Sequence, residues 1–288
     1  TPLYSSAASD VYKRQVWGGP TYAWSPDSRT IAVHYVDRRN MRKVPFPHYL
    51  GKETVANNVR RGYPGDPNEF RTIGFFSVES GDLNLLDLPS PTANRVAGFS
   101  WSPNGKLLLD QESDTATDRW LFMVNPNNGR LKEVWHDQRE TRIYTSIASA
   151  WHSDGERVVF LSDLNDRYGL YLLTPGEENP ELLTNESFDV TSAPLISMSA
   201  NRIFFQSNEP SPYERHVFYI PDEGGASTRI SSIPGQHRPY PSPDGMRVAL
   251  LHNSDLRPTE LYLMDTLSEL NESPVSYTHL TLPTNREV

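Results

Sequence analysis

Apolar and polar positions along this chain alternate in short runs, broken at regular intervals by turn residues. One unit recurs: an aromatic-ended strand, a Ser-Pro-Asp-type turn and a β-branched strand. It reads Tyr22-Ala23-Trp24-Ser25-Pro26-Asp27-Ser28-Arg29-Thr30-Ile31-Ala32-Val33 at its first occurrence. It returns around Trp101-Ser102-Pro103-Asn104-Gly105, Trp151-His152-Ser153-Asp154-Gly155 and Pro241-Ser242-Pro243-Asp244-Gly245, with a degraded copy over Ile196–Phe205. Proline presets φ at the first turn position, Asp or Asn suits the second, and Gly supplies φ > 0 at the exit. Such a loop joins two antiparallel strands. The basic residues after the turns, Lys106, Arg157, Arg202 and Arg247, recur at roughly 51, 45 and 45 residues, the period of four-stranded propeller blades. Arg29 to Lys106 spans about 77, which is one blade plus an excursion or two blades with a turn lost.

Between these turns lie further strand pairs. Thr72–Val78 and Leu83–Leu88 flank Ser80-Gly81-Asp82, and Arg119–Val124 and Leu131–Trp135 flank Asn127-Asn128-Gly129, a strong hairpin signal. Gly169–Leu173 with Glu181–Thr184, and Arg215–Ile220 with Ser227–Ile230, repeat the pattern. Glu260–Asp265 begins a last outer pair, after which no partner strand is read. Met41–Leu50, with two prolines, reads as an irregular excursion, and Gly62–Asn68 as a turn-rich loop. No segment keeps a helical apolar period over about twelve residues. The expectation is an all-β chain, an incomplete β-propeller of about five four-stranded antiparallel blades.

Composition narrows the function. The chain has 288 residues, no cysteine and a net charge of −9. A disulfide framework is excluded, and an acidic balance argues against a nucleic-acid partner. The basic cluster Arg38-Arg39 and Arg42-Lys43 reads as a solvated loop. No apolar run approaches the ~18 residues that span a bilayer. Residues 1–15 and 276–288 resemble translated sequencing-adapter strings, so residues 16–275 are expected to be the genuine part, a partial propeller domain.

Little here points to chemistry on the chain itself. There is no Gly-x-Ser-x-Gly elbow and no His-Glu-x-x-His, and no metal or cofactor site is expected. His136-Asp137 reads as a hairpin end, and Asp163, Asn165 and Asp166 as a strand-to-strand turn without the glycine and glutamate of a calcium loop. Trp24, Trp101 and Trp151 share one place in the repeat and are expected to pack between blades. With them Pro26, Asp27, Pro103, Gly105, Asp154, Gly155, Pro243, Asp244 and Gly245 form the structural repeat, with no catalytic residue among them.

Trp24-Ser25-Pro26-Asp27, then Lys43-Val44-Pro45-Phe46-Pro47, then Tyr63-Pro64-Gly65-Asp66-Pro67-Asn68 and Phe75-Phe76-Ser77-Val78 follow one another in an order that resembles the N-terminal β-propeller of dipeptidyl peptidase IV-like serine peptidases. The resemblance covers most of Val16 to Asp265. It implies a parent with a C-terminal α/β-hydrolase domain carrying a Ser-Asp-His triad. That parent would release N-terminal dipeptides, often after proline or alanine, while the propeller gates access. The fragment itself would carry no catalytic triad. The glutamate pair that holds the substrate amine in the family lies upstream of the Trp-Ser-Pro blade. Glu177-Glu178 sits outside that context, so the role is not carried over. Arg142-Ile143-Tyr144 is similar to the family's Arg/aromatic loop, which implies that Arg142 and Tyr144 line the substrate pocket; a Tyr144 that only packs between blades is the alternative. The resemblance also implies a peptide substrate, a homodimer formed partly through the Met41–Tyr63 excursion, and a leaning toward a periplasmic or other extracytoplasmic compartment. A stand-alone TolB-like propeller that binds protein partners shares the Trp-Ser-Pro-Asp-Gly repeat and is the rival.

Overall fold

The structure, a computed structural model, describes residues 22–89, 94–143, 148–185, 187–266 and 273–274. The adapter-like ends and Tyr144 lie outside the described residues. The chain divides into two compact units, 1–147 and 148–288.

The first unit holds two four-stranded antiparallel sheets. Sheet 1 is built from β1 (Tyr22–Trp24), β2 (Thr30–Asp37), β5 (Phe70–Ser77) and β6 (Leu83–Leu85), in that order. Between β2 and β5 the chain departs as a separate two-stranded hairpin, β3 (Lys43–His48) and β4 (Val55–Arg60). The long first gap is therefore one sheet plus an excursion. Sheet 2 runs β7 (Asn94–Trp101), β8 (Leu107–Ser113), β9 (Asp118–Asn125) and β10 (Arg130–Gln138). Ala32, Ile73 and Phe75 of sheet 1 and Phe99, Leu107, Leu109, Phe122 and Val124 of sheet 2 meet in one buried cluster.

The second unit repeats the plan three times. Sheet 3 is β11 (Ser149–Trp151), β12 (Val158–Ser162), β13 (Gly169–Leu173) and β14 (Glu181–Leu182). Sheet 4 is β15 (Leu195–Ser197), β16 (Arg202–Ser207), β17 (His216–Pro221) and β18 (Thr228–Arg229). Sheet 5 is β19 (Gln236–Pro241), β20 (Arg247–Ser254), β21 (Arg257–Asp265) and β22 (Ser273–Pro274). Successive side chains of a strand point to opposite faces. Along β16, Ile203 and Phe205 enter the cluster shared with sheet 3, while Phe204 enters the one shared with sheet 5.

The repeated turns carry the chemistry the residue types suggested. Asp27 Oδ1 accepts from the Ser25 hydroxyl at 2.6 Å and the Arg29 amide at 3.1 Å, and Asp244 Oδ1 does the same with Ser242 and Met246 at 2.6 and 3.0 Å. Asp154 Oδ1 accepts from the amides of Glu156 and Arg157. The exit residue is left-handed each time: Gly105, Gly155 and Gly245 at φ 78, 70 and 65°, Ser28 at 60° and Asn201 at 50°.

Four expectations need correction. The Met41–Leu50 excursion is not irregular, because its two prolines fall two residues apart. The Arg61 amide bonds the Arg42 carbonyl, which makes 44↔59 and 46↔57 the bonded pairs and places Pro45 and Pro47 where no amide is needed. Sheet 5 does have a fourth strand, β22, paired to Tyr262 and Leu263. The outer strands β6, β14 and β18 are shorter than the apolar runs: each makes one further backbone bond to its neighbour, from buried Leu86, Leu183 and Ile230 to the carbonyls of Ile73, Leu170 and Val217, and pairs no further. Finally, the three tryptophans are not equivalent. The Trp101 indole leans on sheet 1, its Nε1 donating to the Ala23 carbonyl at 2.9 Å and its ring 5.8 Å from Phe75. Trp151 is 3% exposed, but Trp24 is 51% exposed, because no described sheet precedes β1 to receive it.

Trp151→Ala should accordingly cost about 3–5 kcal/mol of stability, and Trp24→Ala less than half of that. Denaturant midpoints of the two variants measure the difference, and equal losses would contradict this placement.

Candidate functional site

Antiparallel order puts the Ser-Pro-Asp turns at one end of each sheet and the connections between second and third strands at the other. In the first unit that other end gathers the β3–β4 hairpin, the Gly62–Glu69 loop, the β8–β9 turn and the segment after β10. The hairpin is mostly exposed, with Phe46, Val55, Tyr49 and Leu50 open to solvent, the last at 92%. Its root is clamped by Arg60, whose Nη1 donates to the carbonyls of Arg38 and Arg39 at 3.2 and 2.7 Å. Arg42 bonds Asp66 at 2.8 Å and lies over the Tyr63 ring. The basic cluster read as a solvated loop is thus tied down at the hairpin root.

Beside that root lies a cleft of about 580 Å³ lined by Asp37, Asn40, Pro67, Asn68 and Phe70. The Arg39 guanidinium grips Asp37 through both carboxylate oxygens and holds its pKa down to about 2. Behind the lining runs a chain of ion pairs. Glu69 receives Arg38 and, at 2.7 Å, Arg71; Arg71 also reaches Asp114 at 3.2 Å, and Asn68 Nδ2 donates to Asp114 at 2.9 Å. Burial alone would push the Glu69 carboxyl up, but its two arginines outweigh that and hold it below its ordinary value.

Asp114 belongs to the β8–β9 turn, where Ser113 Oγ accepts from the amides of Thr117 and Asp118 at 3.1 and 3.0 Å. Ala116 takes the left-handed conformation at φ 56°. The segment carrying Arg142 hangs on this turn: the Arg139 amide donates to the Thr117 carbonyl at 2.9 Å and the Ile143 amide to that of Ala116 at 2.7 Å. Ile143 is buried and Arg142 is exposed. Under the turn, Arg119 and Asp110 form a bidentate pair at 3.0 and 2.6 Å, both essentially without exposure. Burial opposes the Arg119 charge, and Asp110 with its acidic neighbours Glu112 and Asp137 more than restores it.

The remaining candidates are scattered. Glu177 and Glu178 are exposed on the β13–β14 connection. His136 stacks on Trp120 at 4.9 Å and contacts Asp118, while Asp137 faces inward. Asp166 is left-handed in the β12–β13 turn. Among the described residues one cluster, His152, Asp222 and Glu223, has metal-ligand spacing, but the Arg157 guanidinium already binds Glu223 at 2.5 Å and Asp154 at 2.6 Å. The Asp110–Arg119 pair and the Asn68–Asp114 bridge carried no sequence signal, since their members sit on different strands and loops.

Several known proteins are similar. The family model for the N-terminal region of dipeptidyl peptidase IV matches residues 18–258. A probable dipeptidyl-aminopeptidase B of Talaromyces marneffei is 25% identical over 262 residues, which is 80% of this chain and 29% of that protein. A dipeptidyl-aminopeptidase B of Aspergillus niger is 23% identical over 74% of this chain and 27% of that protein. The crystal structure of Porphyromonas gingivalis dipeptidyl peptidase 4 superposes with a TM-score of 0.78 at 18% identity, over 91% of this chain and 38% of that one. The chain therefore spans about a third of the length of these relatives.

Because the Glu69 pKa is lowered on folding, its ion pairs contribute fully above the unfolded value and are lost as pH falls through the folded one. The hairpin root should loosen below about pH 4. Amide exchange of residues 66–71 followed against pH checks this, and Glu69→Gln should abolish that acid limb.

Proposed function

The chain belongs to the family of dipeptidyl peptidase IV N-terminal regions, and on that premise we propose that it is the substrate-gating propeller part of a serine dipeptidyl aminopeptidase. The single observation that carries this reading is the family match over residues 18–258, in a chain whose five four-stranded sheets follow the same order. The catalytic groups belong to an α/β-hydrolase domain of the longer parent. This part narrows the approach to that domain and lends binding groups to the peptide, with Arg142 and Tyr144 as the lining residues. Support for Arg142 comes from its exposure on a segment held by two backbone hydrogen bonds, at the sheet end that also bears the hairpin. An exposed guanidinium can donate to a peptide carbonyl or carboxylate.

The complete polypeptide should release Xaa-Pro and Xaa-Ala dipeptides from chromogenic substrates. Arg142→Ala in it should raise KM about tenfold, the worth of one charged hydrogen bond, with kcat little changed. Absence of any dipeptidyl release would overturn the reading, and an unchanged KM would remove Arg142 from it.

The exposed, basic β3–β4 hairpin is the natural contact between two copies of a chain whose net charge is −9. Deleting residues 41–63 should shift the solution mass measured by light scattering toward the monomer, and an unchanged mass would count against the contact.

A further inference from the structure

The Arg142 segment and the hairpin root are distant in sequence, yet both end on one short turn. From the root, Asn68 Nδ2 and Arg71 Nη1 reach the Asp114 carboxylate at 2.9 and 3.2 Å. Two residues on, the same turn offers the Ala116 and Thr117 carbonyls to the amides of Ile143 and Arg139. The turn has little freedom to absorb a shift between these two attachments. Ser113 Oγ closes it onto the amides of Thr117 and Asp118, the hydroxyls of Thr115 and Thr117 lie 2.9 Å apart, and Ala116 is held left-handed. Asn68 is also a wall of the cleft of about 580 Å³. A group entering the cleft would therefore touch a residue one hydrogen bond from Asp114.

We propose that Asp114 is a positioning residue: it fixes the Arg142 segment relative to the hairpin root, so that movement of the root or occupation of the cleft is transmitted to the peptide-lining loop. This deepens the gating reading of Arg142 and rests on it for its functional meaning. The physical coupling does not need it. Asn68 and Asp114 carry one negative charge between them, and the bridge works because the amide donates to the carboxylate. Two carboxylates at that separation would repel, and exchanging the two residues would restore the bond with its direction reversed.

The test is hydrogen exchange by mass spectrometry on the complete polypeptide. Asn68→Asp should speed exchange of the Arg139 and Ile143 amides about tenfold at low salt, and less at high salt, while Leu108 and Leu109 in the core of sheet 2 stay protected. Asn68→Ala should give a smaller, salt-insensitive effect. The double variant Asn68→Asp, Asp114→Asn should return exchange at Arg139 and Ile143 to near the parent rate. Unchanged exchange at those two amides in Asn68→Asp would overturn the proposal, as would an equal acceleration at Leu108 and Leu109, which would mark general loosening. Failure of the double variant to rescue would also overturn it. The Arg142 reading fails separately, by an unchanged KM in Arg142→Ala, and that outcome leaves the exchange result standing.

Discussion

Each sheet of this protein is apolar on both faces, and that constraint governs the rest. A four-stranded sheet such as sheet 4 turns Ile203 and Phe205 one way and Phe204 the other, so it buries its apolar side chains only with a neighbour on each side. Inner-strand stretches such as Leu107–Leu109, Val158–Phe160 and Ile203–Phe205 accordingly carry consecutive buried apolar residues. Trp101 illustrates the linkage, since its ring covers sheet 1 while its backbone extends sheet 2. The same rule leaves Tyr22 and Trp24 at one end, and Tyr240, Leu261 and Leu263 on sheet 5, with uncovered apolar surface.

Much of this was legible from residue order. The Ser-Pro-Asp turns announced themselves because their chemistry is local: Ser25, Asp27 and the amides they satisfy lie within five residues of one another. Asn127-Asn128-Gly129 was legible for the same reason, with Gly129 at φ 66°. The hairpin was not. Its two prolines argue against a strand until the partner is known, because only the pairing phase reveals that positions 45 and 47 owe no bond to β4. The ends of the outer strands were hidden too, since nothing in the run Leu83–Leu88 marks where pairing to β5 stops and Leu88 is left to fill the core.

The site was less visible than the fold. Arg142 is proposed from the resemblance alone, and the supports of its segment left no signal, because the Ala116 and Thr117 carbonyls are backbone atoms without a side-chain signature. The buried Asp110–Arg119 pair illustrates the same limit. Removing one partner would strand a charge in the interior, whereas replacing both with apolar residues of similar size would cost far less. The pair thus costs more to break than it adds to stability.

The proline spacing in β3 has one more consequence. A ribbon of two strands normally presents two open edges, and any sheet that grows by adding copies needs both. Here the outward side of β3 lacks its donors at Pro45 and Pro47, while the outward side of β4 keeps the amides of Ala56, Asn58 and Arg60. The two edges of the hairpin are therefore unequal: β4 presents a full set of outward donors and β3 does not, which disfavours growth through both edges at once.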